Sequence, residues 1–146
     1  MTKLFLDSSF IISLINSNDS LHNRALILKD QYLKNNECYI SNLIINEVVT
    51  IVGNKIGLDI ALQSYNLLTN LCNVINEYDD LNFNYEVITE YQKFNTKLSF
   101  TDTSIIVIMK KYGINKLLSF DKEFKRVKNI EIINILKVKE KNYFLI

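Results

Sequence analysis

Proline is absent from the 146 residues and glycine occurs only three times. No turn is proline-marked, and no proline- or glycine-rich linker divides the chain. Histidine occurs once, at His22, which leaves a histidine-based zinc site or a catalytic triad almost nothing to work with. The two cysteines, Cys38 and Cys72, form no CxxC pair and cannot build a disulfide framework. Both lie in apolar stretches (ECYIS and NLCNVIN), as small buried hydrophobes do, a usage that suits a reducing cytoplasm. No uninterrupted apolar run reaches the ~20 residues of a membrane helix. The opening MTKLFLDSSFIISLINSND is broken by Asp7 and has no small-residue cleavage site, so it reads as a core strand and helix rather than a signal peptide. The expectation is a soluble cytoplasmic protein with no membrane role. Excess charge is also missing: 17 basic against 16 acidic residues give a net charge of +1. A protein that grips nucleic acid by charge alone is far more basic. A transient nucleic-acid substrate stays compatible, because a positive groove and an acidic pocket cancel in the sum.

What is present is apolar. Hydrophobic residues make up 48% of the chain and charged ones 23%, enough for a real core and ordinary for a folded chain. The length predicts a single domain over residues 1–146. KLFL reads as a buried strand ending at Asp7. DSSFIISLINSN turns helical, with Ser8 or Ser9 as cap and Phe10, Ile11, Leu14 and Ile15 on one face. Asp19 or Ser20 can cap a helix through LHNRALILKDQYLKNN. CYI (38–40) occupies a strand's place before a helix capped by Ser41 or Asn42, in which Glu47 is the one acid. LDIALQSYNLLTNL (58–71) is amphipathic, with Leu58, Ala61, Leu62, Tyr65 and Leu68 on one side. A strand is expected within NVINEYDD (73–80) and a helix over 83–95. SFTDTSIIVIMKKYGINKLLSFDKEF follows: a helix opening on Asp102, a turn at Gly113, and a strand KLL (116–118) leading to Asp121. EIINIL (131–136) is the last strand, and the final YFLI should pack or pair. Strands that alternate with helices predict an α/β fold around a mainly parallel sheet.

Ligands of open parallel sheets bind off the carboxyl ends of the strands. Asp7 ends the first strand, and Asp121 lies just past the KLL strand. Asp102 opens a helix, and Glu47 lies about one turn into the helix after CYI. All four acids can meet at one sheet edge. Clustered carboxylates repel and have raised pKa values unless a cation neutralises them. An all-oxygen set suits Mg²⁺ or Mn²⁺ rather than Zn²⁺. Such an ion activates water and stabilises charge on a phosphate being cleaved.

Taken singly, each acid has a plainer explanation. Ser99 and Asp102 make half of a capping box. Asp121 could cap the DKEF turn, Asp7 could cap the next helix, and Glu47 could lie on a solvated stripe with Asn46 and Thr50. Four acids at the topologically correct places favour a site over four accidents. Lys122, Lys125, Arg126 and Lys128 lie just beyond Asp121 and could touch substrate phosphates, although such runs are more often solvated. Asp79 and Asp80 read as a turn and cap, and His22 as a surface or helix-packing residue. A haloacid-dehalogenase-like phosphatase would need a second aspartate two residues after Asp7, where Ser9 stands. A receiver domain would need an acidic pair after its first strand.

On LFLDSSFII, HNRA, INEVV, LSFTDTSIIVIMKKYG and LLSFDKEF, the chain resembles PIN-domain proteins over about residues 3 to 135. In size and layout it resembles the ribonuclease toxins of VapBC-type toxin–antitoxin pairs. The resemblance implies a three-layer α/β/α sandwich and a Mg²⁺- or Mn²⁺-dependent endoribonuclease acting on folded RNA such as tRNA or rRNA. It makes Asp7, Glu47, Asp102 and Asp121 the metal-binding acids, with Ser8 and Ser119 holding a metal water or a phosphate. Thr103 stands where alanine usually follows the third acid. A cognate antitoxin and a homodimer are the partners implied. The alternative is an RNA- or protein-binding PIN module without catalysis.

Overall fold

The computed structural model describes residues 1–134 and the backbone of two short strands at 136–137 and 143–144. Five strands form one parallel sheet in the order β3-β2-β1-β4-β5. They are β1 (Lys3–Leu6), β2 (Glu37–Ser41), β3 (Asn73–Ile75), β4 (Lys116–Leu118) and β5 (Glu131–Ile133). The central β1 pairs on both sides, with Leu4 opposite Cys38 and Phe5 opposite Leu117. Leu4, Phe5 and Leu6 are accordingly buried, as a continuous apolar run on a doubly covered strand must be.

The helices are α1 (Ser8–Ile15), α2 (His22–Tyr32), α3 (Asn42–Lys55), α4 (Leu58–Leu71), α5 (Phe83–Lys93) and α6 (Phe100–Tyr112). From β1 the chain steps outward through β2 to β3, then crosses back to β4. Right-handed crossovers therefore place α1 to α4 on one face and α5 and α6 on the other. The packing agrees: α1 lies against α2 and α3, α3 against α4, and α5 against α6. This is the three-layer α/β/α arrangement expected. The reversal of direction falls between β1 and β4, so their carboxyl ends open a crevice there.

Several boundaries differ from the sequence pattern, each for a local reason. Asp7, not Ser8 or Ser9, caps α1, its side chain accepting the Ser8 N–H. No side chain caps α2; Asp19 instead accepts the Leu21 N–H at 2.8 Å and turns the chain into it. β3 stops at Ile75 because Asn76 caps a 3-10 turn, Glu77–Asp79. β5 ends at Ile133; position 135 lies outside the described residues, and Leu136 belongs to a separate antiparallel pair, β6 (Leu136–Lys137) with β7 (Tyr143–Phe144). On α4 the buried side keeps Ala61 and Leu68 of the expected stripe but takes in Ser64 in place of its other members. Ala61, Ser64 and Leu68 face inward, while Leu58, Leu62 and Tyr65 are 70%, 54% and 46% exposed. Ser64 can be buried because its hydroxyl donates to the Ile60 carbonyl, which removes the cost of hiding it.

Gly113 ends α6 in the left-handed conformation, φ +67°. A Cβ there would meet nothing within 4 Å, so backbone strain alone sets the cost of a side chain. Gly113→Ala should cost ~1 kcal/mol, a fall in melting temperature of about 2–4 °C by calorimetry.

Candidate active site

Asp7 leaves the end of β1 at the centre of the sheet and is only 2% exposed. Its N–H donates to the Leu118 carbonyl at 3.0 Å, continuing the β1–β4 ladder past the last assigned pair. Its carboxylate is held at three points. Oδ1 accepts the Ser8 N–H at 2.8 Å. Oδ2 accepts the hydroxyls of Ser9 and Ser119, both at 2.7 Å. The two hydroxyl oxygens lie 3.3 Å apart. Each also takes a backbone N–H from the loop after β4: Phe120 donates to Ser9 and Asp121 to Ser119, both at 3.0 Å. This lattice ties the β1–α1 and β4 junctions into one rigid corner.

Asp121 hangs from that corner. Its Oδ1 caps the following 3-10 turn (Lys122–Arg126) by accepting the Glu123 N–H at 2.9 Å. Asp102 approaches from the first turn of α6, where Ser99 Oγ accepts its N–H at 3.0 Å. Glu47 is half-buried in α3. The capping explanations for Asp102 and Asp121 are thus correct, and both still belong to the cluster.

The charges of these acids act on one another. Burial pushes the Asp7 carboxyl up; the Ser119, Ser9 and Ser8 hydrogen bonds oppose that, and the charge of Asp121 adds to it. Burial raises Glu47, partly offset by a hydrogen bond with Ser8, and the charges of Asp7 and Asp121 raise it further. Burial and then the charges of Asp7 and Asp121 push Asp102 up to about 7, helped by a hydrogen bond to Asp121 that the protonated acid can donate. These are the marks of carboxylates sharing a place without enough positive charge.

A divalent cation fits this donor set. Every candidate ligand is oxygen, from carboxylates and flanking hydroxyls, as hard cations require. Among the described residues no three acid, histidine or cysteine side chains stand close enough to hold an ion between them. An ion taken up here would draw on fewer side chains at once and on water for its remaining ligands, as Mg²⁺ does. Removing a hydroxyl should expose the repulsion. Ser119→Ala is expected to cost about 1–2 kcal/mol, more at pH 8 than at pH 4, because its bond to Asp7 favours the ionised carboxylate. Urea unfolding at the two pH values measures this.

The remaining candidates separate. Lys122 and Lys125 are exposed on the 3-10 turn beyond Asp121. Arg126 is bound to Glu123 at 2.6 Å and is less available. His22 packs helices, its Nδ1 2.9 Å from the Ser13 carbonyl. Asp80 caps a turn at Asn82 and pairs with Lys111 at 2.8 Å. Two residues take parts that the sequence pattern does not mark. Ser9 reads in sequence only as a helix cap, and Glu77 stands beside the more conspicuous Asp79–Asp80 pair. A groove of about 730 Å³ between α5 and α6, lined by Tyr85, Glu86, Thr89 and Lys110 among others, contains none of the four acids.

The PIN domain family model matches residues 4–130. The chain belongs to the PIN domain family. Its fold is shared with toxins of VapBC systems. VapC20 of Mycobacterium tuberculosis, a sarcin–ricin loop cleaving toxin, superposes with a TM-score of 0.76 at 23% identity, over 88% of this chain and 97% of that one. VapBC2 of Rickettsia felis, bound to a DNA fragment from its promoter, gives 0.70 at 16% identity over 91% and 98%. DNA-bound VapBC of Salmonella typhimurium gives 0.65 at 18% over 91% and 98%. No curated protein sequence matches significantly. Among the described residues, no helix of this PIN domain is long and apolar enough to cross a membrane.

Proposed function

We propose that this PIN domain is a divalent-metal-dependent endoribonuclease and the toxin of a toxin–antitoxin pair. The observation that carries the reading is the hydrogen-bonded corner that holds the buried Asp7 beside Asp121 at the β1/β4 crevice, where their charges push up the carboxyls of Glu47 and Asp102. Strain of this kind asks for a cation, and an activated water beside a phosphodiester is what a cation among carboxylates supplies. Mg²⁺ or Mn²⁺ would be held by Asp7, Asp102 and Asp121, with Glu47 as ligand or as partner of the attacking water. When bound, the ion lowers the pKa of its water and neutralises charge developing on the phosphate.

The protein's own part follows from its hydrogen bonds. Ser9 and Ser119 hold the Asp7 carboxylate in place and favour its ionised form against burial. Glu47, whose carboxyl burial and the charges of Asp7 and Asp121 raise against the opposing effect of Ser8, is the group this reading places to take a proton from the attacking water. Asp121 is held by the turn it caps. Lys122 and Lys125 are the phosphate contacts this reading favours, and folded RNA such as tRNA or rRNA is the substrate class. A cognate antitoxin and a second copy of the chain are its partners, and the cytoplasm its place.

The purified protein should cleave a labelled structured RNA with Mg²⁺ or Mn²⁺ and stop on addition of EDTA. RNA bound with no cleavage in either ion would instead establish a binding module. Lys122→Ala with Lys125→Ala should raise KM for RNA about tenfold and flatten its salt dependence, with kcat little changed.

A further inference from the structure

Glu77 is 3% exposed at the carboxyl end of β3. Each of its carboxylate oxygens accepts one N–H from the first turn of α3. Oε1 takes Asn42 and Oε2 takes Leu43, both at 3.0 Å. Alongside, Asn42 Nδ2 donates to Asn76 Oδ1 at 3.0 Å. α3 has no cap of its own. Ser41 stands at its cap position with extended backbone and makes no capping bond. Its hydroxyl is buried without a hydrogen-bond partner. A carboxylate 35 residues downstream does the work that a serine in place could do.

The difference is geometric. A Ser41 cap would satisfy the orphan N–H groups but fasten α3 only to its own strand, β2. The Glu77 clamp ties the first turn to β3 as well, so the helix is fixed in rotation and advance by two strands. Glu47 lies five residues beyond Asn42, about 7.5 Å along the axis. It inherits any rotation of that first turn, and a misplacement of ~1 Å at a reacting group costs on the order of a hundredfold in rate.

We propose that Glu77 is a positioning residue for Glu47, clamping α3 at the azimuth that presents Glu47 to Asp7, Asp102 and Asp121. The proposal rests on the reading of Glu47 as part of the metal site. The test compares Glu77→Ala in the wild-type and Glu47→Gln backgrounds, with Mn²⁺ as probe. Amide exchange of metal-free protein should quicken about tenfold or more at Asn42 and Leu43. Mn²⁺ affinity, by calorimetry, should weaken about tenfold when Glu47 is present and hardly at all in Glu47→Gln, a non-additivity that contact through a shared residue produces. RNA cleavage should fall through kcat with KM unchanged. Equal loss of Mn²⁺ affinity in both backgrounds, or faster exchange with unchanged affinity, would make Glu77 a structural cap only and overturn the proposal. If wild type binds Mn²⁺ but cleaves no RNA, the nuclease reading falls and the Mn²⁺ cycle still decides this one. If wild type binds no Mn²⁺, both fall. Should Glu77→Ala not fold, Glu77→Gln, which keeps one acceptor, carries the same cycle.

Discussion

Asp7→Asn is expected to reduce divalent-dependent RNA cleavage by about a hundredfold to a thousandfold while leaving the fold intact. The size follows from removing a charge that opposes a metal ion in a buried site, where one preorganised electrostatic contact is worth about 10²–10³ in rate. The integrity of the fold follows from the hydrogen bonds. An asparagine oxygen can still accept the Ser8 N–H. The Ser9 and Ser119 hydroxyls, which now donate to Oδ2, can rotate and accept from the new amide instead. The β1–β4 link through the Asp7 backbone is unaffected. Initial rates on a labelled RNA, with melting curves of both proteins, measure the two halves. Wild-type cleavage by a folded Asp7→Asn protein would sink the nuclease reading.

The architecture was legible because the strands carry distinct signals. KLFL and KLL are short apolar runs whose ends are marked by polar residues, and parallel sheets bury such runs on both faces. Strand alternation with helices then fixes the layer arrangement through handedness. Asp7, Asp102 and Asp121 could be located in the fold because each stands at a strand end or a helix start, and Glu47 because it lies about one turn into α3; there the chain's local period gives position to within a residue or two. The rest required contacts that periodicity does not encode. The burial of Ser64 in place of Tyr65 on α4 depends on where α3 lies; with Leu58 and Leu62 equally apolar, no period distinguishes the two faces. Ser9 acquires its role from Ser119, 110 residues away. Glu77 could only be found by knowing that α3 begins beside β3, since Ser41 satisfies every local rule for a cap and does not act as one. Residues whose partners lie one strand away are the ones a linear reading misses.

In the absence of metal, stability should fall as pH rises from about 4 to about 7, and Asp102→Asn should abolish much of that fall. Asp7, Glu47 and Asp102 all have folded-state pKa values above their ordinary ones. In that window the folded chain therefore binds more protons than the unfolded chain, and stability declines with pH. Below about pH 4 both states are protonated and the penalty vanishes; above the folded value of about 7 for Asp102 it is complete. The exposed Asp80 has the opposite sign, since Lys111 holds its carboxyl below the ordinary value, but its contribution is lost only below about pH 4 and outside the window. For Asp102 the penalty is on the order of 2 kcal/mol, about half of what the full shift would carry, because the carboxyl is part exposed and screened. Asp102→Asn should accordingly raise the melting temperature by about 5 °C at pH 8 and leave it nearly unchanged at pH 4. Saturating Mn²⁺ should act the same way on wild type. It would stabilise by RT ln(1 + [Mn²⁺]/Kd), more at pH 8 than at pH 5 because protons compete for the same oxygens. In Asp102→Asn the Mn²⁺ effect should shrink, since the site has lost a charge. Differential scanning calorimetry across pH 4–8, with and without Mn²⁺, reads all of these at once. A lower melting temperature for Asp102→Asn at pH 8 would show that this carboxylate stabilises the fold on its own account. The strain ascribed to the four acids would then be absent, and with it the reason for them to gather a cation.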